Sequence, residues 1–221
     1  MSLERLTCCP PADPDRLAAV LTRAAHFGSY FEANASGADL DLEVVLANVA
    51  RRLGTTELRV AASALQYEFA ERLWAVALGT WAFGRVVPDY SRLRCTALPD
   101  GTLGLGFTEL RGWNCLGEPM EVVAKLLGDN VLPQLEQFHE GLRATVKVAD
   151  GLLWGNAATA LVLSARSASR ARSCTAIASA LLAEPPLANR LTGSLSMSMR
   201  RRSCCLYYRS AAGRKCGDCP L

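Results

Sequence analysis

The chain has 221 residues and a mass of 23.7 kDa, half of it hydrophobic residues, and a net charge of +3. That supplies one generous domain, or one domain with a small appendage, and excludes long disorder, which needs low hydrophobicity with high net charge. The small total conceals a split: residues 1–164 carry 14 Lys+Arg against 19 Asp+Glu, and residues 165–221 carry 10 against 2.

In chain order, Cys8-Cys9-Pro10-Pro11 precedes a helix opened by Asp13 and Pro14, with Leu17, Val20, Leu21 and Ala24 on one face. Cys8 and Cys9 read as free thiols. Residues 39–53 repeat the amphipathic pattern, and Gly54 stops it. Thr55 or Thr56 then caps a long helix reaching about Gly84, apolar nearly all round and so an interior element, with Phe69, Trp74 and Trp81 as core. Pro88 ends this helical part.

Residues 92–98 and 102–110 flank Pro99-Asp100-Gly101 and read as a β-hairpin, with Cys95 and Cys115 structural. Residues 119–127 and 131–146 read as two helices separated by Gly128-Asp-Asn, with His139 on a wet face of the second. Residues 151–165 form another apolar helix. Asn156 inside it needs a hydrogen-bond partner if buried, and its expected duty is to fix neighbouring backbone. Short helices over 174–183 and 187–191 flank Glu184-Pro-Pro, and residues 193–199 alternate polar and apolar side chains like a strand or extended linker.

The start of the chain is charged, with no apolar run and small-residue cleavage site, and the longest uncharged runs, 73–84 and 151–165, fall short of the ~18 residues that span a bilayer. A cytoplasmic location is expected, where structural disulfides are rare. No Walker A sequence is present, and Gly101-Thr-Leu-Gly104-Leu-Gly106 lies in the hairpin and opens no helix, so it is not a dinucleotide fingerprint.

Chemistry concentrates at the far end. Four of the nine cysteines fall between 204 and 219, as an adjacent pair, ten intervening residues and a C-x-x-C turn: Cys204, Cys205, Cys216 and Cys219. Four thiolates complete the coordination of a [2Fe–2S] cluster or a tetrahedral zinc. In the C-x-x-C turn the two sulfurs converge, Gly217 eases a left-handed backbone, and the Gly217 and Asp218 amides are candidate donors to sulfur. Adjacent cysteines on an extended strand point to opposite faces, so both reach one metal only through a local turn. A two-metal cluster tolerates that pair better than a single zinc does, which puts iron–sulfur ahead of zinc. Two disulfides are the remaining alternative.

Arg201-Arg202-Ser203-Cys204-Cys205-Leu206-Tyr207-Tyr208-Arg209 followed by Cys216-Gly217-Asp218-Cys219-Pro220 resembles the C-terminal signature of the FhuF-type siderophore ferric reductases, whose distinguishing spacing is Cys-Cys-x10-Cys-x2-Cys. Trp154-Gly155-Asn156 is similar to a Leu-Trp-Gly-Asn stretch of that family; upstream of residue 150 the likeness is diffuse. The resemblance implies a [2Fe–2S] protein that passes one electron to ferric iron held by a siderophore, often of the hydroxamate class. It also allows loose attachment to the cytoplasmic membrane face.

The expected architecture is therefore mainly α with a small β-hairpin (α+β). A helical body over residues 1–195 carries the hairpin near 91–110, and residues 196–221 form the cluster-binding segment. Arg200, Arg201, Arg202 and Arg209 surround the motif. They are read as offsetting the charge of an anionic cluster and as steering an acidic electron donor of ferredoxin or flavodoxin type, ahead of any contact with nucleic acid. Arg166, Arg170, Arg172 and Arg190 read as solvated helix faces. Tyr207, Tyr208 and Arg209 are candidate siderophore contacts, with shielding of the cluster as their structural alternative. An iron–sulfur redox sensor, which would need a helix-turn-helix not identifiable here, and a zinc-stabilised binding module are the other classes open.

Overall fold

A computed structural model describes residues 9–26, 28–33, 38–98, 101–168, 171–193, 198–211 and 213–221, the side chains of 38, 39, 171 and 172 excepted. Cys8, Pro99, Asp100, the 194–197 part of the linker, Arg170 and the Arg172 side chain lie outside this set. The fold is mainly α with small β elements, as the sequence predicts.

Helix α1 (Pro14–Ala25) begins where Asp13 accepts from the Asp15 and Arg16 amides, at 2.8 and 3.2 Å. Helix α2 (Leu42–Leu53) begins the same way at Asp41, three residues later than the pattern suggests, because residues 38–39 form strand β1 (Ala38–Asp39). Gly54 ends α2 in the left-handed conformation at φ 60°, which a residue without Cβ adopts freely. Helix α3 (Leu58–Gly84) starts after Glu57; the Thr55 hydroxyl accepts the Glu57 amide at 3.2 Å but does not sit at the cap itself. Its interior position is confirmed. Trp74, Leu73 and Leu65 are fully buried, Trp81 and Phe69 nearly so, and α1, α2 and the later helices pack around it.

The predicted hairpin is present as β3 (Leu93–Ala97) paired antiparallel with β4 (Leu103–Phe107), with Arg94 opposite Gly106 and Thr96 opposite Gly104. Two pairings carry no sequence signal. β1 adds to the outer edge of β3, and β2 (Val86–Pro88) pairs with β5 (Gly112–Asn114). Strands of two or three residues are too short to display an alternation.

Three expectations are corrected. Residues 119–146 form one helix, α4 (Met120–Thr145), which runs through Gly128 and Pro133 without a break. A Cβ on Gly128 would lie 3.1 Å from Leu181, so the glycine there serves close packing, not a stop. His139 is not on a wet face. It is fully buried, bonded to Gln66 at 2.9 Å and edge-on to Trp154 with ring centroids 4.5 Å apart. Burial, then the Arg143 charge, lowers its pKa to about 3, so it is neutral. Residues 187–190 form turns after helix α6 (Ala171–Ala183) and Leu191 begins a short strand; no helix forms there.

Helix α5 (Asp150–Ser167) lies along α3 as the largest helix pairing of the body. Beyond α6, β6 (Leu191–Thr192) pairs with β7 (Arg200–Arg201), which leads the chain back across α5 into the cysteine motif. Among the described residues no helix is long and apolar enough to cross a membrane.

Candidate metal centre

The last twenty residues contain little regular structure, so polar contacts with α3 and α5 position them. After β7, Ser203 donates its hydroxyl to the Gly151 carbonyl at 2.8 Å. Gly155 leaves the room for this approach, since a Cβ there would stand 2.4 Å from the Ser203 hydroxyl oxygen. Ser63 of α3 donates to the Cys205 carbonyl at 2.6 Å. Asn156 of α5 donates from Nδ2 to the Ser63 carbonyl and hydroxyl at 3.0 and 3.1 Å. The expectation that Asn156 fixes backbone therefore holds, and its carbonyl oxygen also accepts from the Arg201 guanidinium. Farther along, the Ala211 amide bonds the Leu53 carbonyl at 2.9 Å, and Arg209 pairs with Glu57 at 2.7 Å.

The local turn required by adjacent cysteines is provided by Leu206, at φ 64°, followed by a single 3-10 turn over Tyr207–Arg209. The left-handed residue of the motif is thus Leu206, not Gly217. The Leu206 amide reaches the Cys204 sulfur at 3.4 Å, whereas the sequence pointed to the amides of Gly217 and Asp218. At the C-x-x-C turn, the Cys219 amide bonds the Cys216 carbonyl at 3.1 Å.

The sulfurs that meet are those of Cys205 and Cys216, 3.4 Å apart. Two thiolates bound at about 2.3 Å to one tetrahedral metal stand roughly 3.8 Å apart; a disulfide would need ~2.05 Å. The observed spacing is close to the first and far from the second, and all the described cysteines are free. Cys205 and Cys216 line a cavity of about 350 Å³ together with Ser63, Tyr67, Arg201, Tyr207 and Asp218. Cys204 lines a neighbouring groove of about 690 Å³ with Arg59, Lys147 and Leu206, and Cys219 is buried. Among the described residues no group of three or more His, Cys, Asp or Glu side chains stands together as a metal site. The donor chemistry and the one sulfur pair fit an iron–sulfur group; convergence of all four thiols is not formed by the side chains as they stand.

Beside the pair lies a buried charge network that sequence reasoning missed. Arg201 was read both as offsetting the cluster's charge and as part of a donor-steering surface; it is 6% exposed and turned inward, so the surface role does not fit. It pairs with Asp218, whose carboxylate also accepts from Thr159 of α5 at 2.9 Å, and the Arg201 amide bonds the Asp218 carbonyl at 2.9 Å. Burial disfavours both charges, but each outweighs that penalty for the other. The Asp218 carboxyl is held below its ordinary range and the Arg201 guanidinium above its own. Burial and the hydrogen bond with Cys205 push the Cys216 thiol up, Asp218 pushes it further, and Arg201 pulls it down. Arg201 also lies 5.4 Å over the Tyr67 ring. A lone Arg in a run of three gave no signal of facing inward; Arg201 faces inward at the end of β7, while Arg200 before it and Arg202 after it are exposed. Arg200 reaches back to the Cys219 carbonyl at 2.9 Å; Tyr207 lines the cavity and is exposed, and Tyr208 beside it in the chain is exposed as well.

A cysteine-rich segment with one close sulfur pair, clamped to a helical body by buried polar contacts, defines the class: a candidate thiolate-ligated metal protein. The particular kind follows from comparison. Residues 201–221 match the family model of the FhuF 2Fe-2S C-terminal domain, so this segment is similar to that domain and its cofactor is a [2Fe–2S] cluster. No curated protein matches the chain.

Proposed function

We propose that the protein is a ferric-siderophore reductase: it delivers single electrons to siderophore-bound Fe(III), of hydroxamate type, and so releases Fe(II) for assimilation. The observation that carries this reading is the Cys205–Cys216 sulfur pair lining an open cavity inside the segment that matches the FhuF 2Fe-2S C-terminal domain. Cys204, Cys205, Cys216 and Cys219 would hold the cluster, which when bound supplies a one-electron carrier.

The chain's own residues do the rest. Ser63, itself held by Asn156, fixes the Cys205 backbone, which limits how far the segment rearranges between oxidation states. Tyr207 and Tyr208 offer exposed aromatic surface to a bulky, shallowly docked ligand. Deep burial of the substrate is unnecessary. Siderophore oxygens are hard ligands that hold Fe(III) tightly and Fe(II) far less well, so one electron to the iron loosens it and no bond within the siderophore breaks. The electron comes from a one-electron protein donor with an acidic surface, of ferredoxin or flavodoxin type, which docks where exposed Arg200, Arg202 and Arg209 lie beside the site. The setting is the cytoplasm, with or without loose contact with the membrane face.

The test is stopped-flow mixing of anaerobic, dithionite-reduced protein with a ferric hydroxamate siderophore and a ferrous chelator. Reoxidation of the protein's visible absorption should match one Fe(II) trapped per electron. If ferricyanide reoxidises the protein and no ferric siderophore does, the reductase reading fails.

A further inference from the structure

We propose that Arg201 sets the reduction potential of the centre, holding it up against the opposing charge of Asp218. This rests on the cluster assignment above. It goes beyond it by giving a role to a buried ion pair that coordination alone does not require.

The argument begins with cost. Taking a guanidinium and a carboxylate out of water is expensive, and a well-packed apolar pair of the same volume is often at least as stable. Here the pair is buried and satisfied from three directions: Asp218 from the motif, Asn156 and Thr159 from α5, and the Asp218 carbonyl on the Arg201 amide. Such bracing fixes where the charges stand. They stand in the wall of the cavity that Cys205 and Cys216 line, and Arg201 interacts electrostatically with both sulfurs. A one-electron reduction adds a negative charge to a group already anionic through its thiolates. A fixed cation in a poorly screened wall favours the reduced form, and a fixed anion there opposes it. Exposed Arg200 and Arg202 are screened by solvent and act far less. Arg201 thus works through the centre and not on the substrate: it is a positioning and tuning residue, while the two exposed arginines beside it remain available to the donor.

The same placement explains why the Trp154-Gly155-Asn156 stretch lies so far upstream of the motif yet bears on it. Gly155 admits Ser203, and Asn156 orients Arg201.

The experiment is a dye-mediated redox titration of the full-length protein, followed by visible absorption, with iron and acid-labile sulfide measured on every sample. Arg201→Gln should lower the reduced-to-oxidised ratio at a fixed poise by about tenfold, equivalent to 59 mV for one electron. Asp218→Asn should raise that ratio, the double variant should return toward wild type, and Arg202→Gln should move it little. A purely structural pair would not give shifts of opposite sign that cancel. Full iron and sulfide in Arg201→Gln with an unchanged potential would overturn the proposal. If that variant loses its cluster, Asp218→Asn and the double variant decide: an unshifted potential in both, or loss of cluster from all three, equally overturns it. Wild-type protein lacking iron, sulfide and visible absorption would instead sink the cluster assignment itself.

Discussion

The α3–α5 body and the segment from residue 200 onward are held together by different physics. The body buries Leu65, Leu73, Trp74, Trp81, Leu153 and Leu161 around two long helices that are apolar nearly all round, so its stability comes from area removed from water. The segment has one two-residue strand and one 3-10 turn, and its contacts with the body are mostly single hydrogen bonds from Ser63, Gly151, Asn156, Thr159 and Leu53. Directional bonds place groups accurately but contribute only about 1 kcal/mol each. The difference teaches where metal should matter: the body is expected to fold without it, while on the proposed ligand set the segment needs metal to bring its four thiols together.

The sharpest way to break that contrast is Cys205→Ser. It should abolish the visible absorption and the acid-labile sulfide altogether, since a serine replaces one of the two sulfurs already at metal spacing. Far-UV circular dichroism should keep its helical signal, because none of the helices α1–α5 draws on that sulfur. A collapse of helicity together with the colour would show that the two regions fold as one unit. A full cluster in the variant would remove Cys205 from the proposed ligand set.

The two regions were also unequally legible. Hydrophobic periodicity and caps foretold α1, α2, α3 and α5 because each element's signal is local: Asp13, Asp41 and Gly54 do in space what their types suggest. The spacing of the four cysteines identified the segment for the same reason. What escaped was non-local. His139 was placed on a wet face of its helix, but its own side chain points to Gln66, 73 positions away. Arg201 was grouped with Arg200 and Arg202, although its guanidinium bonds Asn156, 45 positions upstream, and Asp218, 17 positions downstream. A continuous α4 was missed because Gly128 was taken as a stop, when a tight helix contact with Leu181 accounts for it.

The buried His139 sharpens the comparison through pH. Its folded pKa is about 3 against an ordinary value of 6.5, so the unfolded chain takes up a proton that the folded chain refuses. The contribution is therefore complete above about pH 6.5 and is lost as pH falls toward 3, at about 1.4 kcal/mol per pH unit. In paired urea titrations, wild type should lose stability relative to His139→Gln over this window, the gap between them changing by that slope. A constant gap from pH 7 to pH 4 would mean that the site admits the proton after all. Because His139 sits in the body, the loss should appear in the helical signal and not first in the cluster's.

The smallest effect should come from the seam between the two regions, at Gly155→Ala. The added methyl would meet the Ser203 hydroxyl at 2.4 Å, and the hydroxyl can escape only by giving up its bond to the Gly151 carbonyl. The cost should be near that of one hydrogen bond, about 1 kcal/mol, felt where Ser203 leads directly into Cys204. The variant should keep the thermal transition of its helices nearly in place and lose iron faster to a chelator. Ser203→Ala removes the obstructing oxygen, since the Ser203 Cβ itself lies 3.8 Å from the new methyl. In the double variant, adding the methyl should therefore carry no penalty beyond that of Ser203→Ala alone. If Gly155→Ala accelerates iron loss equally in both backgrounds, the methyl is disturbing α5 itself and the two regions are coupled more tightly than their contacts imply. If it accelerates iron loss in neither, the seam is loose enough to absorb a methyl, and the placement of the motif rests on its other contacts, with Ser63, Asn156, Thr159, Leu53 and Glu57.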